Sequence, residues 1–278
     1  GRSTSSTRTC PRPRTCTTLS RGTLERVVKR TSRRELQDLL GELGVRLGDR
    51  IMVHSFVPSL GIVEGGLPGL VEALIDGIGP EGTLIVPTFT YSFRRSQVFD
   101  IRNSPSTVGA FSEYVRTLPD AIRSPCPLFS MAVLGPDVTD LMSRESSRCF
   151  GLGSIYQKLF DAGIKFVGLG VEYDHGYPFF MHLERLAKVP FRRDQRFLGR
   201  SINAGGAEFD DEAIHFVRVE DPPWRRNRRK LCKELAEEGI IREVTFDGTP
   251  HRMFDSNVFA PVVLDRLQRN PWCMADRL

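Results

Sequence analysis

Histidine is the side chain that moves protons near neutral pH, and a close carboxylate can fix its tautomer and stabilise the imidazolium. The segment Asp174-His-Gly-Tyr-Pro-Phe-Phe-Met-His182-Leu-Glu184-Arg places both groups directly after an apolar run that ends at Val171. His182 is therefore the natural candidate for a general base. Residues two apart on a regular helix point to different faces, so a direct pair between His182 and Glu184 needs irregular backbone. His175, His215 and His251 show no partner pattern, and neither HExxH nor a His/Asp metal spacing occurs, so no metal is expected.

Other segments also carry polar residues just past apolar strands. Val53-His-Ser-Phe-Val-Pro-Ser-Leu-Gly-Ile-Val-Glu-Gly-Gly joins His54 and Ser55 to Gly61, Gly65 and Gly66 ahead of a helical stretch. Glycines beside a helix N-terminus let backbone N–H groups approach an anion, which suits phosphate or pyrophosphate. The spacing is neither GxGxxG nor GxxxxGK[ST], and the same glycines serve equally as turns. Pro87-Thr-Phe-Thr-Tyr ends in hydroxyls and, with the downstream Phe99 to Gly109 segment, offers phosphate ligands; Ser104-Pro-Ser reads mainly as an N-cap. Cys126 lies between two prolines and would need a base and a depressed pKa to act as a nucleophile, so it reads as structural. The basic run Trp224-Arg-Arg-Asn-Arg-Arg-Lys, followed by Leu231 and Leu235, reads as a solvated face of an amphipathic helix rather than a nucleic-acid contact.

These residues need a frame. Leu24, Val27 and Val28, then Leu36, Leu39 and Leu40, recur at helical spacing with Thr31 or Ser32 as N-cap, and residues 41–48 close that helix. Strands are expected at 50–55, at 83–91 with a stop or bulge at Pro87, at 130–135 and at 165–171. Helices are expected at 70–75, 109–118, 154–162 and 180–188. The alternation predicts an α/β protein: a layered, parallel or mixed sheet with flanking helices, and ligands bound outside the strand ends. A strand at 208–219, a charged helix at 225–238 and a short strand at 243–246 suggest a smaller C-terminal α+β portion.

Composition narrows the class. With 278 residues, 40% hydrophobic and 26% charged, the chain is long enough for a sizeable core and is neither disordered nor collagen-like. No apolar run reaches the eighteen residues of a membrane span. Thirty-nine Lys and Arg against thirty-four Asp and Glu leave +5, mild enough to serve either a polyanionic ligand or solubility. Six cysteines without CxxC pairs favour a reduced cytoplasm. Residues 1–22, rich in Ser, Thr and Arg and lacking an apolar core, read as a disordered leader before a single domain at 23–278.

Taken in order, Gly48-Asp-Arg-Ile-Met-Val-His-Ser, Ser59-Leu-Gly-Ile-Val-Glu-Gly-Gly, Gly79-Pro-Glu-Gly-Thr-Leu-Ile-Val-Pro-Thr-Phe-Thr, Ser104-Pro-Ser-Thr-Val-Gly, Arg123-Ser-Pro, Ser130-Met-Ala-Val-Leu-Gly-Pro, Phe150-Gly-Leu-Gly-Ser and Met181-His-Leu-Glu resemble the aminoglycoside 3-N-acetyltransferase family. The resemblance runs from about residue 33 to 272. It implies an acetyl-CoA-dependent N-acetyltransferase without metal, in an α/β fold distinct from the common GNAT acetyltransferase fold, acting on a small-molecule amine such as an aminoglycoside or related amino sugar. It assigns coenzyme A contacts to His54, Ser55, Phe56, Val63, Gly65, Gly66, Thr88 and Thr90, with Ser104 and Ser106 added. It makes His182 the base, supported by Glu184, for direct attack of the amine on the thioester, and points to Tyr91, Asp100, Glu172 and Asp174 for the acceptor. Two departures stand out. The family's glutamate follows its histidine by three positions, whereas Glu184 follows His182 by two; anchored on Val189-Pro, the family's histidine falls on Met181. Cys126 and Phe129 stand where the family has histidines. A relative that binds CoA but has lost the chemistry is the alternative these departures leave open.

Overall fold

The computed structural model describes Gly1 and residues 29–96, 98–136 and 143–278; the expected leader and the Leu24, Val27 and Val28 positions lie outside them. β1 (Arg30–Thr31) leads into α1 (Arg33–Leu43) through an N-cap at Ser32. The Ser32 hydroxyl accepts from the Glu35 amide at 3.3 Å while the Glu35 carboxylate accepts from the Ser32 amide at 2.8 Å, satisfying two otherwise orphaned donors. The helix runs through Gly41 and stops at Gly44, whose φ of 93° suits glycine.

β2 (Arg50–Ser55), β3 (Ile62–Val63), α2 (Gly66–Ile78), β4 (Thr83–Pro87), α3 (Phe93–Ser96), β5 (Val98–Asp100), α4 (Ala110–Arg116), β6 (Ile122–Arg123) and β7 (Met131–Leu134) follow in order. Then come α5 (Ile155–Asp161), β8 (Lys165–Leu169), α6 (Phe179–Leu186), β9 (Arg192–Ile202) and β10 (Glu208–Arg218). The chain closes with β11 (Trp224–Arg226), α7 (Arg229–Glu237), β12 (Arg242–Phe246), β13 (Thr249–Asp255), α8 (Ser256–Arg269) and β14 (Ala275–Arg277).

The main sheet has the order β12-β13-β8-β2-β4-β7-β6. β2 runs parallel to both β4 and β8, and the outer pairs are antiparallel, so the sheet is mixed as expected. Side chains alternate across it. Met52, Ile85, Val133 and Phe166 pack to one side, against Tyr156 of α5, Leu183 of α6 and Phe259 of α8. Ile51, Val53, Leu84, Val86 and Val167 pack to the other, against Leu36 of α1, Leu70 of α2 and Phe111 of α4. Burial on both faces explains why these strands read as continuous apolar runs. β10, β9 and β5 form a second sheet in which β9 and β10 pair along all eleven residues.

One expected element is corrected. The helix expected at 225–238 begins only at Arg229, because Trp224–Arg226 pairs with β14 instead. Among the described residues no helix is long and apolar enough to cross a membrane.

Candidate active site

Two large cavities adjoin, the first of them opening beside the C-terminal ends of β2, β4 and β8. The first, of about 800 Å³, is lined by His54 and Ser55 from the end of β2, by Phe56 and Ser59 after it, and by Gly170 to Glu172 after β8. The second, of about 1050 Å³, is lined by α3, by Phe129 and by β9 and β10. Tyr91, Met181 and Arg226 line both, so the cavities meet there.

The first cavity carries polar atoms without protein partners. His54 Nε2, Ser59 Oγ and Tyr177 Oη are buried and unpaired. Buried polar groups ordinarily find partners, so three orphans in one lining call for a ligand with complementary groups. The close approach is built in: a Cβ at Gly168 would collide with Tyr177 Oη, and one at Gly170, held at φ +66°, would collide with Ser59. The His54 ring lies 5.3 Å from that of Tyr177, and burial pushes its pKa down to about 3.

His182 does not reach either cavity. It is fully buried on α6, its Nδ1 accepts from the Gly151 amide at 3.2 Å, and its ring stacks on Phe179 at 5.6 Å with Tyr156 and Phe160 around it. Burial holds its pKa near 3. His182, expected at the reaction centre, lies outside the linings of both cavities, and its neighbour on the helix, Met181, lines them instead. Glu184 shares a side of the helix with Met181, three residues on. Its carboxylate is 1% exposed and lies 2.5 Å from Arg192 Nε and 3.1 Å from Arg228 Nη2, the first contact being an ion pair without hydrogen-bond alignment. Arg228 lines the first cavity and Arg192 the second, so Glu184 pins one cation from each.

Of the residues expected to touch coenzyme A, His54, Ser55 and Phe56 line the first cavity. Val63, Gly65 and Gly66 lie at β3 and the start of α2, outside both linings; Gly65 sits at φ 71° as the N-cap. Thr88 and Thr90 are fully buried and taken up by Arg123, whose Nη2 donates to the Thr88 carbonyl and to Thr90 Oγ1, each at 2.7 Å. Arg123 thus fixes the strand end rather than a ligand. Ser104 Oγ accepts from the Asp100 amide at 2.8 Å, and the Ser106 amide donates to Glu113 at 2.7 Å, so both serve the loop before α4.

Among the expected acceptor contacts, Tyr91 stands at the junction. Asp100 instead caps a turn, accepting from the Arg102 and Asn103 amides. Glu172 lines the first cavity and pairs with Arg229 at 3.3 Å, and Asp174 accepts from the Arg228 amide at 2.8 Å. Cys126 lies off both cavities; hydrogen bonding with Cys149 brings its pKa down to about 7 against the effect of burial. Among the described residues no group of His, Cys, Asp and Glu could hold a metal ion.

Sequence reasoning left His215 without a role. It rises from β10 into the second cavity, 6% exposed, with its ring 4.9 Å from Phe129, which in turn lies 5.7 Å from Tyr91. Desolvation, with help from Arg94 and Arg192, lowers its pKa to about 3, so the imidazole is neutral at pH 7.

A family model described as aminoglycoside 3-N-acetyltransferase matches residues 52–268. Aminoglycoside N(3)-acetyltransferase III of Serratia marcescens is 31% identical over 232 residues, covering 77% of this chain and 78% of that protein. Aminoglycoside N(3)-acetyltransferase IV of a Salmonella species is 33% identical over 165 residues, 56% of this chain and 60% of that protein. The solved binary complex of AAC-IIIb with CoASH superposes with a TM-score of 0.74 at 24% identity, covering 87% of this chain and 97% of that one. The likeness holds at the level of fold, and the sequence match spans most of the chain. The chain belongs to the aminoglycoside 3-N-acetyltransferase family.

Proposed function

We propose that the protein is an acetyl-CoA-dependent N-acetyltransferase that modifies an amine of an amino sugar or related compound. In this reading the coenzyme occupies the first cavity and the acceptor the second. The observation that carries it is the junction: two cavities of ligand size share Tyr91, Met181 and Arg226, as a transfer between two bound molecules requires. The names of its relatives as N(3)-acetyltransferases, and a structural neighbour holding CoASH, support it. A cytoplasmic setting belongs to the same proposal, supported by four free cysteines among the described residues.

The first cavity fits the coenzyme. Apolar Phe56, Pro58 and Val108 suit an alkyl chain, while Ser59 Oγ, His54 Nε2 and Tyr177 Oη suit its amide groups. Acetyl-CoA, when bound, supplies an activated thioester open to attack by an amine. Arg226 is the cation common to both cavities; burial lowers its pKa to about 10, which leaves it charged at neutral pH. It is placed to stabilise negative charge developing at the junction, an effect typically worth about 3 kcal/mol per donor. His215 lines the acceptor cavity with its Nδ1 buried and unpaired, and is the side chain placed to take the amine proton.

Thiol release from acetyl-CoA against a panel of amines tests this reading with two variants. His215→Phe should lower kcat by about 100-fold or more, whereas His182→Asn, once corrected for folded fraction, should stay within about threefold of wild type, since it removes no cavity group. Loss in His182→Asn with His215→Phe active would contradict the assignment. A second reading is a relative that binds the coenzyme without turnover, and one observation favours it: Met181 stands at the junction, where alignment on Val189-Pro places the family's histidine. Acetyl-CoA binding with no thiol release on any amine would select that reading.

A further inference from the structure

The second cavity is lined by six guanidinium groups: Arg94 and Arg95 of α3, Arg192 and Arg193 of β9, Arg218 of β10 and Arg226 of β11. Glu220 is the one carboxylate in that lining. Two of the six are already engaged, Arg192 with Glu184 and Arg226 with the Asp174 carbonyl. Arg94, Arg95, Arg193 and Arg218 are exposed to the cavity side and have no carboxylate partner among the described residues.

Their arrangement is held by the fold. Arg192 and Arg218 face each other across the β9–β10 ladder. The Arg94 guanidinium lies 5.1 Å from the Phe197 ring centre and 5.9 Å from that of Tyr91, and the Arg218 guanidinium lies 4.5 Å from that of Trp224. Aromatic faces steady these cations without neutralising them. Like charges gathered around a concave, partly apolar wall repel one another and focus a positive field into the cavity. The acids that would draw a polycation lie elsewhere: Glu172 in the first cavity, Asp174 against the Arg228 amide, and Asp100 in a turn.

We propose that the second cavity selects an acceptor that carries a negative group as well as its amine, a phosphorylated or carboxylated amino sugar rather than a polycationic aminoglycoside. Arginine suits this task because its planar fork binds phosphate and carboxylate through two parallel hydrogen bonds. The proposal rests on the reading of this cavity as the acceptor site, so the test keeps the two separable.

Calorimetric titration of the protein, with and without saturating CoA, compares glucosamine with glucosamine 6-phosphate, a pair that differs only by the anion, and adds tobramycin as a polycation. The phosphate ester should bind at least tenfold more tightly than glucosamine, and tobramycin should bind most weakly. The Arg193→Ser/Arg218→Ser double variant should lose at least fivefold for the phosphate ester while its Kd for CoA stays within twofold. Equal binding of the pair, or tightest binding of tobramycin, would overturn the proposal. It would also fail if the double variant lost its affinity for CoA instead, because the arginines would then serve the coenzyme's phosphates. Failure of the wild type to bind CoA at all would count against the coenzyme reading of the first cavity, while the preference within the pair would still be read without it.

Discussion

Replacement of Glu184 by leucine should destabilise the protein by about 3–5 kcal/mol, the usual cost of stranding a buried charge. Here one deletion strands two. The Arg192 and Arg228 side chains are only 4% and 2% exposed, and both converge on a carboxylate that is 1% exposed. Each guanidinium also lies over a ring, Arg192 at 5.4 Å from Trp224 and Arg228 at 4.5 Å from Phe180, so neither can swing into water without disturbing aromatic packing. Glu184→Gln keeps the shape and loses the charge, and should fall between wild type and leucine. Urea unfolding of the three proteins measures the order. A loss below about 1 kcal/mol in the leucine variant would show that the carboxylate does not bind the two cavity arginines in place.

Acidification is the second large effect. His54, His182 and His215 are pushed from the ordinary 6.5 to about 3, and His251 to about 4, chiefly by burial. A folded pKa below the unfolded one means that, between these values, the unfolded chain binds protons the folded chain refuses. The stability these neutral rings confer is therefore complete above about pH 6.5 and is lost as pH falls toward 3. At pH 5 each ring forfeits about 2 kcal/mol, and the four together about 8, a large part of a typical domain's stability. Carboxylates held low, such as Glu35, Glu113 and Glu212, lose their share only below their ordinary range near 4.5. Unfolding free energy measured from pH 7.5 to 4.5 should thus fall steeply already between 6.5 and 5, and His182→Phe should flatten the slope by about a quarter. A stability independent of pH over that interval would contradict the burial of these rings.

The frame was legible where chemistry is local. β2, β4 and β8 announce themselves as apolar runs because both of their faces are covered, and Pro87 ends β4 where its missing N–H predicts. β9 has no such signature because Arg-Arg-Asp-Gln-Arg-Phe-Leu-Gly-Arg-Ser-Ile is polar and exposed or half-buried along most of its length, leaving no apolar alternation to read. β11 was hidden inside a basic run whose spacing to Leu231 and Leu235 mimics a helix, and its pairing with β14 is a distant contact that local periodicity does not register.

The site divides along the same line. His54, Ser55 and Phe56 end an apolar strand and do line a cavity, as strand-end logic anticipates. Thr88 and Thr90 have the same local signature, but the Thr88 carbonyl and the Thr90 hydroxyl accept from buried Arg123, which arrives from β6, and the Thr88 hydroxyl pairs with Ser130 Oγ. His182 drew attention through its chemistry, whereas spacing favoured its neighbour: Met181 and Glu184 are separated by three and share a face, and alignment on Val189-Pro singled out the same pair. The arginine lining of the second cavity had no local signature, since four strands and helices far apart in the chain contribute to it.

The central claim is that acetyl transfer takes place where the two cavities join, beside Met181. Met181→Trp fills that junction without touching the buried side of α6, and its unfolding curve and CoA affinity, measured alongside, check the fold and the remainder of the first cavity. The measurement is thiol release from acetyl-CoA with a saturating amine acceptor, wild type beside variant. The account predicts that Met181→Trp still binds CoA, because it alters the first cavity only at its junction end, yet releases thiol at least 100-fold more slowly, because the two ligands are walled apart. Wild-type turnover in a variant whose junction is blocked would place the chemistry elsewhere in the molecule and contradict the account.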